Sequence, residues 1–325
     1  MSTRDHHAKE MHSRLKTITT VALNPAIDRT LIVPGFAAGA TNRVAAARVD
    51  PGGKGINVAR AAQALGARVQ VLGFLGSENA ELILKSLTQA QVAHDFLMVP
   101  GETRTNLKIV EPGTGQLTEL NERGFTVDEG QVRELMRLVE RRLPDTAVLV
   151  LTGSLPAGVP DTVYRDLVAL ARRSGVPAIL DADGEPMRRA MAARPTVIKP
   201  NQGEAERLLG RRLASPDAVV DGARELLGRG PEIVVVSCGG DGAALVTPER
   251  AWWATPPAIR PGSTVGAGDS MVAGLAVALT RGLSLPEALR LATAAGAATA
   301  SLEGTQLCTR EAVAELLPRV RVAEV

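Results

Sequence analysis

The chain is poor in aromatic residues: four Phe, two Trp and one Tyr in 325 residues. So few rings leave little for stacking nucleic-acid bases. A net charge of +2 offers no strong field for a phosphate backbone or an anionic membrane surface. Nucleic acid and membrane are therefore excluded as expected partners. No apolar run reaches the ~18–20 residues that a membrane-spanning helix needs. Cys238 and Cys308 are the only cysteines, too few for a disulfide scaffold and suited to a reducing, cytoplasmic compartment. Cys238 reads as a small packing residue, since nothing near it in sequence activates a thiol. Of the four histidines, His6, His7 and His12 fall near the start, which argues against a His-based metal site. Residues 1–16 are polar, mixed in charge and without the apolar core of a signal peptide. They are expected to be a disordered tail, with Met11 an alternative start.

What the chain does have is ample core material, 45% hydrophobic by count, in an alternating order. Short β-branched or apolar runs at Thr17–Leu23, Val69–Leu72, Ala147–Leu151, Ala178–Leu180, Val197–Ile198 and Ile233–Ser237 read as buried strands. Helix-period stretches lie between them, at 56–65, 80–90, 128–142, 161–174, 202–210 and 218–228. This alternation predicts an α/β fold, a mostly parallel sheet with helices on both faces. Two stretches break the pattern, Thr30–Val49 and Thr103–Asn121. The second carries the turn Glu111-Pro112-Gly113-Thr114-Gly115 between alternating segments and reads as a hairpin. Neither repeats nor a low-complexity linker interrupt residues 17–325, so one domain with an insertion is expected.

The most informative segment is Ser263-Thr264-Val265-Gly266-Ala267-Gly268-Asp269-Ser270, followed by the apolar run Met271–Leu279. Glycines let successive backbone N–H groups turn toward one point, and a helix start adds unpaired N–H groups and a positive dipole end. That arrangement cradles an anion. The dipole is also expected to favour ionised Asp269. A carboxylate beside an anion cradle suits proton removal from a hydroxyl during phosphoryl transfer. The same segment also reads as a plain glycine turn with Asp269 as N-cap. Upstream, Pro51-Gly52-Gly53-Lys54-Gly55-Ile56-Asn57 opens a helix. Its spacing is not that of a Walker A loop, and no dinucleotide fingerprint follows a strand. Gly52-Gly53 alone is a turn; with Lys54 and Asn57 it suits close backbone approach to a small polar ligand.

Taken together with Leu23-Asn24-Pro25-Ala26-Ile27-Asp28, Thr103-Arg104-Thr105-Asn106, Gly153-Ser154-Leu155-Pro156, Lys199-Pro200-Asn201-Gln202-Gly203-Glu204 and Ser237-Cys238-Gly239-Gly240-Asp241-Gly242, these segments resemble, in order, the ribokinase-like (PfkB) carbohydrate kinase family, and within it the phosphosugar branch. The resemblance covers nearly the whole chain. It implies a ribokinase-like fold with a small β lid from about 30–49 and 103–121, often the contact of a homodimer. It implies ATP and Mg²⁺ as cofactors and a small phosphosugar as acceptor. Fructose 1-phosphate is the first expectation, giving fructose 1,6-bisphosphate. Fructose 6-phosphate and tagatose 6-phosphate are alternatives, and a non-catalytic phosphosugar sensor is the alternative of another class.

The resemblance also assigns roles. Asp269 is the base, with Gly266, Ala267 and Gly268 stabilising the transferred group. Asp28, Gly53 and Asn57 meet the sugar; Asp28 alternatively reads as a turn aspartate at the end of the first strand. Lys54, Arg104 and Arg43, with Ser154 as a neutral donor, suit the phosphate already on the acceptor, though any one of 37 Lys and Arg residues also reads as a solvated charge. Lys199, Asn201, Ser237, Gly239, Gly242 and Thr264 line the nucleotide, and Thr293 and Ala297 lie near its base. Asn201 and Glu204 serve Mg²⁺; the same pair reads as a helix capping box. Asp183 and the stretch Glu122–Phe125 depart from the family pattern, and an Asp183 facing the acceptor would disfavour a phosphate there.

Overall fold

The computed structural model describes residues 16–325; the tail expected at the N-terminus lies, but for Lys16, outside the described residues. Ten strands form the large sheet. Seven of them are parallel: Ala93–Val99 (β5), Val69–Gly76 (β4), Thr17–Ala22 (β1), Thr146–Thr152 (β8), Ala178–Asp181 (β9), Val197–Ile198 (β10) and Ile233–Ser237 (β11), in that spatial order. Three antiparallel strands then complete the edge, Ala243–Val246 (β12), Ala251–Thr255 (β13) and Arg321–Glu324 (β14).

The inner strands are apolar runs because helices cover both sheet faces. Alternate residues feed two separate cores. Ile18, Val71, Val150, Ile179 and Val235 pack on one face. Val21, Leu72, Leu151, Leu180 and Val236 pack on the other. The helix Ala267–Thr280 is buried nearly all round and packs on the helix Leu285–Ala300, where Gly274 admits close approach: a Cβ there would lie 2.7 Å from Ala292 Cα.

From β1 the chain proceeds to β4 and β5 on one side, then to β8, β9, β10 and β11 on the other. The strand order therefore reverses between β1 and β8, and ligands of such sheets bind beyond the carboxyl ends of strands at this switch point. Ala93–Val99 and the last three strands were not anticipated. Ala-His-Asp-Phe-Leu-Met-Val alternates poorly and is only partly buried, and the short antiparallel edge strands lack the long apolar signature of the centre.

A second sheet of four strands stands over the first. Its order is Ala46–Gly52 (β3), Ala26–Ile32 (β2), Arg104–Glu111 (β6) and Gln116–Asn121 (β7). β2 pairs antiparallel with β3 and parallel with β6, and β6 and β7 form a hairpin. Asp28 is thus not at the end of the first strand, as its sequence position implied. β1 stops at Ala22, and Asp28 is the third residue of β2.

Candidate active site

Loops leaving β1 and β8 line a cleft of about 170 Å³ with Asn24, Gly53, Lys54, Arg104, Thr152, Gly153 and Ser154 on its walls. Gly53, at φ +91, must be glycine, since a Cβ would sit 2.9 Å from Pro25 Cα. Lys54 then opens the helix Lys54–Ala64 and extends its ammonium to Asp181 Oδ2 at 3.2 Å. Arg104 reaches the Asn24 carbonyl and, at 3.2 Å, Asn106 Oδ1. Asn24 Nδ2 faces Ser154 Oγ at 3.3 Å. Three of the residues expected to meet the acceptor's phosphate therefore share one cleft. Arg43 does not: it is exposed on the loop between β2 and β3 and outside the cleft walls. Its sequence position on a lid edge carried no information about reach.

Asp181, at the carboxyl end of β9, organises the charges between the two halves of the site. Only 1% of its side chain is exposed. It faces Lys54 at 3.2 Å and Lys199 at 3.4 Å, and accepts from Thr152 Oγ1 at 3.2 Å. Burial pushes its carboxyl up, but Lys199 and Lys54 prevail and hold it below the usual carboxylate range. Burial likewise opposes the Lys54 charge, yet Asp181, Asp269 and Glu204 together push its pKa above the ordinary lysine value.

On the far side lies the helix that starts at Ala267. Gly266 takes the left-handed conformation at φ +79, which turns the loop into the helix. Among the described residues the amides of Gly266, Gly268 and Asp269 have no backbone acceptor, whereas Ala267 N–H is already donated to Thr264 C=O at 3.2 Å. The cradle thus has three free donors rather than the four expected. Lys199, only 3% exposed, brings its ammonium to 3.7 Å from where a Gly268 Cβ would stand. Asp269 lies in the first turn and is not the N-cap. Its Oδ2 accepts from Asn57 Nδ2 at 2.9 Å. Burial pushes its carboxyl up to about 6, with Asp181 adding to the effect and Lys54, Asn57 and Lys199 opposing it. The dipole argument from sequence predicted the opposite shift; desolvation of a group 6% exposed outweighs a helix end.

Of the residues expected to line the nucleotide, Lys199, Asn201, Ser237, Gly239 and Gly242 lie at or just beyond the ends of β10 and β11. Asn201 and Ser237 form a parallel bridge. The capping box expected at Asn201 forms with both hydrogen bonds at 2.8 Å. It uses one Glu204 oxygen, and the other has no hydrogen bond among the described residues. Gly239 and Gly242 have positive φ, and a Gly242 Cβ would strike the Ala254 carbonyl. Thr264 is exposed in the loop before Gly266. Thr293 is buried within the helix Leu285–Ala300, and its hydroxyl has no hydrogen-bond partner among the described residues. Ala297 lies one turn further along the same helix. Asp183 caps the helix Gly184–Met191 and pairs with Arg207 at 2.8 Å, and it is not on the walls of the cleft.

Sequence reasoning missed Asn24, Asn106, Lys108 and the bridging role of Asp181. Asp181 was findable as a carboxylate ending a strand of a parallel sheet. Tyr164, the single tyrosine, was not findable: its hydroxyl holds the Gly153 carbonyl at 3.0 Å from a helix below.

Among curated proteins the chain is 44% identical to a 1-phosphofructokinase of Rhodobacter capsulatus, over 94% of this chain and 97% of that protein. It is 35% identical to a 1-phosphofructokinase of Bacillus subtilis, over 94% and 99%. Among solved structures it resembles phosphofructokinase-2 of Escherichia coli in complex with potassium, with a TM-score of 0.87 and 33% identity over 94% of this chain and 99% of that one. Residues 19–312 match the model of the pfkB family carbohydrate kinases. With the parallel sheet, the switch-point cleft and the glycine cradle at Asp269, the chain belongs to the pfkB family of carbohydrate kinases.

Proposed function

We propose that this protein transfers the γ-phosphoryl group of ATP to fructose 1-phosphate, giving fructose 1,6-bisphosphate and ADP. The observation that carries the reading is the cleft lined by Lys54, Arg104 and Ser154, together with the Asp269 carboxylate, which Asn57 holds at 2.9 Å and which lies near enough to Lys54 for their charges to act on each other. Together they offer cations for a phosphate already present and a carboxylate for a hydroxyl. The relatives named 1-phosphofructokinase, at up to 44% identity, support the 1-phosphate over the 6-phosphates.

Ionised Asp269 accepts the proton of the acceptor hydroxyl as its oxygen bonds to the γ-phosphorus. The bond to the bridging oxygen breaks, and ADP leaves. Charge on the transferred group meets the Gly266, Gly268 and Asp269 amides and the Lys199 ammonium. Such fixed donors work by positioning and charge stabilisation. Among the described residues no three His, Cys, Asp or Glu side chains are grouped to cage a metal. The free oxygen of Glu204, with Asn201 beside it, would instead hold a hydrated Mg²⁺. When bound, that ion would neutralise phosphate charge. The expected test is ADP release with ATP and Mg²⁺: kcat/KM highest for fructose 1-phosphate. A preference for fructose 6-phosphate or tagatose 6-phosphate would overturn the acceptor, and no turnover on any of them would overturn the enzyme.

The outer face of the small sheet suits a homodimer. Register places Ile27, Leu31, Val49, Leu107 and Leu120 on the side away from Asp28, and Val49 and Leu120 are 48% and 55% exposed. An apolar lid face of this kind favours burial against a second copy. Val49→Glu is expected to convert a dimer to monomer in sedimentation velocity; a wild-type monomer at micromolar concentration would refute the contact. No helix among the described residues is long and apolar enough to cross a membrane, and two unpaired cysteines accord with a cytoplasmic site of action.

A further inference from the structure

Lys108 carries a charge where lysine is rarely found. Its side chain is 7% exposed, and buried lysines are almost always paired. Its Nζ donates to Asp28 Oδ2 at 2.8 Å, while Asn106 Nδ2 donates to Asp28 Oδ1 at 3.0 Å. Asn106 Oδ1 in turn accepts from Arg104 at 3.2 Å. Arg104, Asn106 and Lys108 alternate along β6 and so share one face, and the register sets Asn106 opposite Asp28. One hydrogen-bonded chain therefore runs from Arg104 in the cleft through Asp28 to Lys108. From the other flank Gly52 closes on the carboxylate: a Cβ there would lie 2.6 Å from Asp28 Cγ.

Two consequences follow from this packing. A carboxylate has about four acceptor sites; two are taken here, so the group cannot rotate and its remaining lone pairs have fixed directions. An uncompensated Asp28 would also repel an acceptor that carries its own phosphate. The Lys108 ammonium cancels that charge and leaves Arg104 as the net cation of the chain. Taking away one partner of such a buried pair exposes the other's charge in full.

We infer that Lys108 is a positioning residue for the phosphosugar acceptor: it neutralises and orients Asp28, so that this carboxylate can receive sugar hydroxyls without opposing the acceptor's phosphate. The inference rests on the acceptor reading above, in which Asp28 meets the sugar.

A double-mutant cycle tests it. Lys108→Met, Asp28→Asn and the double variant are compared with wild type by kcat, by KM for fructose 1-phosphate and by KM for ATP. Lys108→Met is expected to raise KM for fructose 1-phosphate roughly tenfold or more, with kcat and KM for ATP little changed; in the Asp28→Asn background the same substitution changes KM by less than about threefold, because no charge is left to neutralise. Lys108→Gln, which keeps a donor on a side chain one atom shorter but loses the charge, is expected to give the same pattern and serves if the Met variant does not fold. Equal KM penalties in both backgrounds would overturn the inference, since Lys108 would then act without Asp28. A loss of kcat and thermal stability at unchanged KM would overturn it too, as the mark of a purely structural role. If wild type turns over no phosphosugar, the acceptor reading itself fails, and that result is in hand before any variant is made.

Discussion

Replacing Asp269 with asparagine is expected to abolish most turnover while making the protein more stable. A positioned general base contributes about 10²–10⁴-fold to rate, and an amide cannot take a proton from the acceptor hydroxyl. Binding of fructose 1-phosphate and ATP should persist, because Asn57 and the amide cradle remain. The stability gain follows from the position of the Asp269 carboxyl, pushed up to about 6 from an ordinary 3.8 by burial. Between those values the folded chain keeps a proton that the unfolded chain has lost. The contribution of Asp269 to stability therefore declines as pH rises through that window, and its ionised form is a net cost at pH 7 of about 3 kcal/mol. Asparagine removes that cost and should flatten the pH dependence of the melting temperature between about pH 4 and 6. Wild-type turnover should correspondingly fall as pH drops through about 6, where the base becomes protonated. Near-normal kcat in the variant would remove Asp269 from the chemistry; a lower melting temperature would mean that the ionised carboxylate supports the fold through Lys54 and Lys199 by more than its burial costs.

Asp181→Ala is expected to act in the reverse sense, harming fold and function together. Lys199 and Asp181 are 3% and 1% exposed, and removing one member of a buried pair costs about 3–5 kcal/mol because the other charge is left without compensation. The pH sign is also opposite. The Asp181 carboxyl is held below its ordinary value by Lys199 and Lys54 against the pull of burial. Its contribution is thus in place above that ordinary value and is lost as pH falls through the depressed folded one. Urea unfolding of wild type and variant at neutral pH measures the first effect. In the variant both ammonium groups lose their anchor, so KM for ATP and for the phosphosugar should rise together. A loss below about 1 kcal/mol would show that water solvates the two lysines once the carboxylate is gone.

The alternation of apolar runs and helical periods was enough to determine an α/β sheet with helices on both faces. β10 and β11 coincide with their predicted bounds. The glycine-rich entry to the helix at Ala267 and the Asn201 capping box were likewise legible. Both are local devices, set by φ values and hydrogen bonds within a few residues. Tertiary structure alone decided how charge is balanced. Asp28 and Lys108 lie 80 residues apart, and Lys54 and Asp181 lie 127 apart; only strand register and the reversal between β1 and β8 bring each pair together. Arg43 shows the same limit from the other side, a suitable residue type on a lid edge that ends outside the cleft. The raised Asp269 carboxyl is the clearest case. A helix end acts locally and was readable from sequence, while desolvation depends on everything packed around the group, which no stretch of sequence contains.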